Sequence, residues 1–123
     1  MTRLEEAMSN FKESLYGKKS FIYQIGGDYY AIGANTFAKV TDSQELDNME
    51  LFQNAMKKHN DRQIAKYLDK LMRIANSYRV DAREHYKQQE KLFQFIDQLH
   101  EEESAALQKQ VFLFDELCEK YLE

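Results

Sequence analysis

Asp97 and His100 stand three residues apart, with Glu101 and Glu103 close behind. On a helix that offset places a carboxylate and an imidazole on one face, the arrangement from which helical metal sites are built. A di-iron carboxylate bundle needs two Glu-x-x-His pairs and two further Glu from facing helices. Here the Asp-x-x-His pair occurs once, and His59 and His85 have no carboxylate at the same offset. No His-Glu-x-x-His run exists and the chain holds a single cysteine. A small helical metal protein centred on Asp97 and His100 is thus one reading. The plainer one is a solvated histidine in an acidic helix, with no metal and no cofactor.

Nucleophilic chemistry finds less support. Cys118 lies between Glu116 and Glu119 on an apolar stripe, surroundings that disfavour a thiolate. No serine sits in an activating context. Gly26-Gly27 is not a phosphate loop, because strand-like residues flank it on both sides and no Lys-Ser/Thr follows. The expectation is a protein that is not an enzyme.

Charge is the more informative feature. The formal net charge is −4, but it is unevenly spread. Residues 57–91 carry ten cations and five carboxylates, between an acidic first half and an acidic C-terminal stretch. Lys58, Arg62, Lys66 and Arg73 project within a narrow arc of one continuous helix, with Lys70 beside them, and Arg79 and Arg83 extend the run at spacing four. Such a row suits an acidic protein partner or, less well, the phosphates of a nucleic acid. Asp69, Asp81, Glu84 and Glu90 interrupt it, which fits an ordinary solvated face equally. The mirror-image candidates are Glu101, Glu102, Glu103, Asp115, Glu116 and Glu119, with Glu123 beyond them. They offer an acidic face to a basic partner or imitate a phosphate backbone at low charge density.

Aromatic residues supply the last candidate. Phe93 and Phe95, and Phe112 and Phe114, are two apart, so each pair diverges by about 200° on a helix. Either the C-terminal helices are buried on more than one side, or an apolar patch remains for another molecule, a second copy included.

These residues need elements to hold them. Residues 3–16 read as a helix with Leu4, Met8, Phe11 and Leu15 on one face. Thr2 and Glu5 form a capping box at its start, and Gly17 is placed as a left-handed terminator. Residues 20–33 switch to period two, with Gly26-Gly27 or Gly27-Asp28 as a hairpin turn. In either register Phe21, Tyr23, Ile25, Tyr30 and Ile32 share one apolar face. Thr36–Thr41 offers a third strand, and the sheet face must lie on a helix, since a bare ribbon is marginal in water. Residues 34–123 contain no glycine and no proline, where average usage would supply about 11.

Asp42-Ser43-Gln44-Glu45 reads as a second capping box, and His59-Asn60-Asp61 as a break. Asp81 marks an optional break, and Glu101–Ser104 interrupts the later stripe as a kink, a turn or a solvated stretch. One helix from 43 to 122 would run roughly 120 Å, so the chain folds back or dimerises.

The longest apolar run, Val111–Phe114, is far short of a membrane span of roughly 20 residues. The acidic N-terminus is unlike a signal or transit peptide, and one cysteine suits a reducing, cytoplasmic setting. The fold class expected is mainly α (α+β) over one domain, 1–123. Residues 1–41 make a helix plus a β-hairpin or three-stranded meander, and 42–123 make two to four antiparallel helices. The function expected is a non-catalytic regulator that binds another protein through helix faces. An inhibitor of a host nuclease or immune complex carried by a phage or mobile element, in the manner of an anti-CRISPR, is one concrete form. A nucleic-acid-binding accessory protein is the alternative.

Overall fold

A computed structural model describes residues 2–122. The side chain of Leu4, and with it the expected placement of that residue on the first apolar face, lies outside what is described, as does Glu123. The first element, α1 (Arg3–Gly17), starts as its sequence dictates. Thr2 accepts from the Glu5 amide at 3.2 Å, and Glu5 accepts in return from the Thr2 amide. Gly17 does not adopt the left-handed conformation. The chain leaves the helix extended at Lys18, whose N–H still reaches the Leu15 carbonyl.

Strands β1 (Phe21–Ile25), β2 (Asp28–Gly33) and β3 (Thr36–Val40) form an antiparallel meander. Phe21 faces Ile32 and Tyr23 faces Tyr30, which selects Gly26-Gly27 as the turn. Gly26 has φ of +64° and Gly27 does not, the pattern of a type II′ hairpin that only glycine adopts without strain at its first position. The second turn places Asn35 at φ of +56°, which Asn tolerates. Gly33 is required for a different reason. A Cβ there would come within 2.5 Å of the Ser20 Cα, because Ser20, just before β1, lies directly against Gly33 at the end of β2.

The expected apolar face is present, with Phe21, Tyr23, Ile25 and Ile32 buried and Tyr30 partly so. What periodicity did not show is that the opposite face is buried too: Ile22 and Ala31 are wholly enclosed and Val40 nearly so. The unbroken run Phe21-Ile22-Tyr23 is the signature of a strand covered on both sides.

Helix α1 and four later helices supply the cover: α2 (Ser43–Lys57), α3 (Asp61–Asn76), α4 (His85–Asp97) and α5 (Glu101–Tyr121). On the first face, Phe114 of α5 stacks on Phe21 with centroids 4.1 Å apart, and Phe95 of α4 meets Tyr30 at 4.7 Å and Phe37 at 5.3 Å. Helix α1 lies against β2 and α4. On the other, α3 packs along β1 and β2 through Ile64, Leu68, Leu71 and Ala75, with α2 antiparallel beside it. The two i,i+2 phenylalanine pairs are therefore mostly absorbed: Phe114 is buried, Phe93 and Phe95 are half-buried, and Phe112 stays 68% exposed.

The breaks fall at capping residues. Asp42 accepts from the amides of Gln44 and Glu45, but the box is not reciprocated, since the Glu45 carboxylate instead takes the Tyr78 hydroxyl. His59 turns left-handed at φ of +53°, and Asn60 caps α3 by accepting from the Gln63 amide. Asp81 caps a single 3₁₀ turn, Ala82–Glu84, that leads into α4. The last break lies before Glu101 and not at Ser104, with the His100 amide donating to Glu103 at 3.0 Å. No described helix is long and apolar enough to cross a membrane.

Candidate functional site

Helix α3 buries Ile64, Leu68, Leu71 and Ala75, so residues displaced from that stripe must face water. Arg62, Lys66, Lys70 and Arg73 occupy that outer side, and all four are exposed. Their spacings of four, four and three keep them within an arc of about 80° over roughly 16 Å of helix. Lys66 and Lys70 lie over the Tyr67 ring at 5.4 and 5.8 Å. Those contacts steady the stems without neutralising the charges. Arg73 is the one α3 cation in an ion pair, its Nε meeting Asp69 at 3.0 Å. Among the described residues no carboxylate lies within ion-pair distance of Arg62, Lys66 or Lys70.

The remaining residues of the predicted basic row separate from this face in an instructive way. Lys58 follows α2 and stands before the left-handed turn at His59, so no continuous helix joins it to Arg62. The reason is the break itself, which reverses chain direction between Lys58 and Asp61. Arg83 belongs to the 3₁₀ turn, beyond a further change of direction. Arg79 stays with the face. It leaves the turn after α3 and lines a cleft of about 350 Å3 together with Arg73, Asn76, Lys18 and Lys19. The two lysines are contributions that sequence reasoning missed. The dyad after Gly17 was visible, but nothing local relates it to a helix some 50 residues later. The link is the linker's packing against Gly33, where Ala34 donates to the Lys18 carbonyl at 3.1 Å. Lys18 points away to Asp115 at 2.8 Å. Lys19 has no such partner among the described residues.

The predicted acidic residues do not form one face. Glu101, Glu102 and Glu103 are the first turn of α5, where carboxylates meet the positive end of the helix dipole. Asp115, Glu116 and Glu119 lie about 20 Å further along the axis. Asp115 is occupied by Lys18, while Glu116 and Glu119 are exposed around Phe112. Most of this acidity thus has a structural use.

Asp97 is likewise engaged, by the Lys12 ammonium from α1, and His100 sits at the entry to α5. Among the described residues, no three His, Cys, Asp or Glu side chains gather as metal ligands would. Cys118 is buried on α5. Near it the Tyr23 phenol is enclosed without a hydrogen-bond partner among the described residues, and burial, with Asp115 and Cys118 close by, pushes it well above the usual tyrosine range.

One apolar groove of about 330 Å3 runs between α2 and α5 over the β1 edge, walled by Met49, Phe52, Met56, Leu113 and Leu117. Its floor shows how that edge is protected. The Gln110 amide accepts from the Gln24 N–H at 2.7 Å and donates to the Gln24 carbonyl at 2.5 Å, occupying the place of a neighbouring strand. No family model matches the chain, no curated protein matches its sequence, and no solved structure matches its fold.

Proposed function

We propose that this protein is a non-catalytic binding protein whose α3 face docks on an acidic surface of another protein. The observation that carries the reading is the contrast in pairing. Arg62, Lys66 and Lys70 stand in one exposed arc with no carboxylate partner among the described residues, while Glu101, Glu102, Glu103 and Asp115 of α5 are engaged within the fold. Unpaired cations on a rigid helix cost little to desolvate partly at an interface rim, and they speed encounter with an oppositely charged surface. A regulator or inhibitor acting on a nucleic-acid-processing complex is the form this reading takes. A second copy is a special case, since α5 offers Glu116 and Glu119. In a twofold pair α3 of each copy would lie on α5 of the other, so the basic-to-acidic contact would be made twice.

The second reading is nucleic-acid binding by the same arc, favoured by the helical row itself, which presents successive cations about 6 Å apart. Fluorescence anisotropy separates the two. A glutamate-rich peptide and a DNA duplex are each titrated at low and high salt against the parent and an Arg62/Lys66/Lys70→Ala variant. Peptide binding that weakens with salt and disappears in the variant is the expected result. Tighter binding of the duplex, lost in the same variant, would transfer the face to nucleic acid. Absence of both at low salt would remove the face from either role. Light scattering on the protein alone, read for mass above the monomer at low salt, checks the second-copy case.

A further inference from the structure

The cleft beside α3 has features the exposed arc lacks. Lys19 enters from the α1–β1 linker, Arg73 from the last turn of α3 and Arg79 from the turn that follows, so three cations from three segments line one concavity. Convergent like charges are unfavourable unless something neutralises them, and a concave setting strengthens their joint field. Only Arg73 is compensated, and only in part. Asp69 meets its Nε, leaving the two terminal nitrogens with no hydrogen bond among the described residues. The side-chain amide of Asn76 is also without one. The donors present are therefore two guanidinium forks, an ammonium and an amide, the set that recognises phosphate oxygens. The remaining wall is different in kind. Met72 and Ala34 give it an apolar side, Ser20 and the Asp69 carboxylate that holds Arg73 complete the lining, and about 350 Å3 is room for more than a bare anion.

We propose that this cleft binds a phosphate monoester of a small organic molecule, its phosphate held by Lys19, Arg73 and Arg79 and its body resting on Met72. A nucleic-acid strand or an acidic protein surface would follow the convex arc of Arg62, Lys66 and Lys70, none of which lines the cleft. This separates the present proposal from the function proposed above.

Isothermal titration at low salt tests it with adenosine 5′-monophosphate, inorganic phosphate and adenosine as probes. The monophosphate is expected to bind, phosphate to bind more weakly, and adenosine not to bind. Lys19→Ala with Arg79→Ala, both exposed positions, weakens the monophosphate at least tenfold with an unchanged melting temperature. Asp69→Asn tightens it several-fold by releasing Arg73, an effect a purely structural role for Asp69 would not give. The Arg62/Lys66/Lys70→Ala variant binds it as the parent does, so failure of the face reading leaves this result standing. Three outcomes would overturn the proposal: no binding of monophosphate or phosphate, binding indifferent to Lys19 and Arg79, or adenosine binding as tightly as its monophosphate. Phosphate binding as tightly as the monophosphate would overturn the role given to Met72.

Discussion

Helices α3 and α5 carry opposite charges and are held in the same core, yet their charges do different work. The carboxylates of α5 are largely internal to the fold: three occupy the first turn, where the dipole favours them, and Asp115 fixes Lys18. Among the described residues the cations of α3 pair with no carboxylate, Arg73 excepted, and Lys66 and Lys70 meet only the Tyr67 ring. A run of like charge in a sequence therefore has two origins that composition cannot separate. One is set by helix termini and tertiary pairs, the other is left for water or a partner. The difference becomes visible only when the helix start is known, since Glu101–Glu103 change meaning once α5 begins with them.

The largest effects should be alike in the two helices. Leu68 on α3 and Leu107 on α5 are both fully enclosed, one against each side of the molecule. Replacing either with alanine removes buried methyl groups and leaves a cavity, at a cost of about 2–5 kcal/mol. Denaturant titration of both variants checks this. Losses of similar size would show that α3 is as firmly seated as α5, so that its idle charges are not those of a loosely attached helix. A much smaller loss for Leu68→Ala would break the comparison.

A tyrosine ties each helix to the rest, and here a difference is expected. After α3, the Tyr78 hydroxyl donates to the Glu45 carboxylate on α2. At the end of α5, Tyr121 donates to Asp61 at 2.6 Å in an exposed setting. The hydrogen bond to Glu45, burial, and the charges of Glu45 and Asp42 push the Tyr78 phenol from 10.0 up to about 12. The folded state thus favours its protonated form. That contribution is complete below the unfolded value near pH 10 and is lost as pH rises through about 12. Tyr78→Phe should cost about 1 kcal/mol near neutral pH and make the alkaline decline of stability shallower. Some slope will remain, since burial raises Tyr16 and Tyr23 as well. Tyr121→Phe should cost less, because water replaces its bond. Melting temperatures of both variants between pH 8 and about 11 are the measurement.

Much of the scaffold was legible in residue spacing. Thr2 with Glu5, a hairpin turn within Gly26–Asp28 and the break at His59–Asp61 follow from local rules that each residue type obeys on its own, while the register and the third strand were settled by the structure. The misplacements were of another kind. Glu45 left its box for Tyr78, Gly17 stayed out of the left-handed region, and both faces of the sheet proved buried. The first and the last were decided by neighbours distant in sequence. The candidate site divides in the same way. The α3 arc was readable because helix periodicity alone creates it. Lys18 and Lys19 were not, because their approach to Arg73 and Arg79 depends on where the α1–β1 linker packs against Gly33 and α3.

The smallest stability effects are the most discriminating. If the α5 carboxylates serve the fold, then Glu103→Gln, which removes charge from the first turn and weakens the bond to the His100 amide, should cost about 0.3–1 kcal/mol. Lys18→Ala should fall in the same range, since its pair with Asp115 is half-exposed and screened. Both losses should shrink with added salt. Lys66→Ala and Lys70→Ala should stay within about 0.5 kcal/mol of the parent, as exposed changes without a partner do. The sign is informative too, because thinning a row of like charges relieves repulsion, so a slight gain at low salt is expected for these two. Thermal melts at two ionic strengths provide the comparison. A loss at Lys66 or Lys70 equal to that at Glu103 would mean the α3 row also supports the fold, and the distinction between the two helices would go with it.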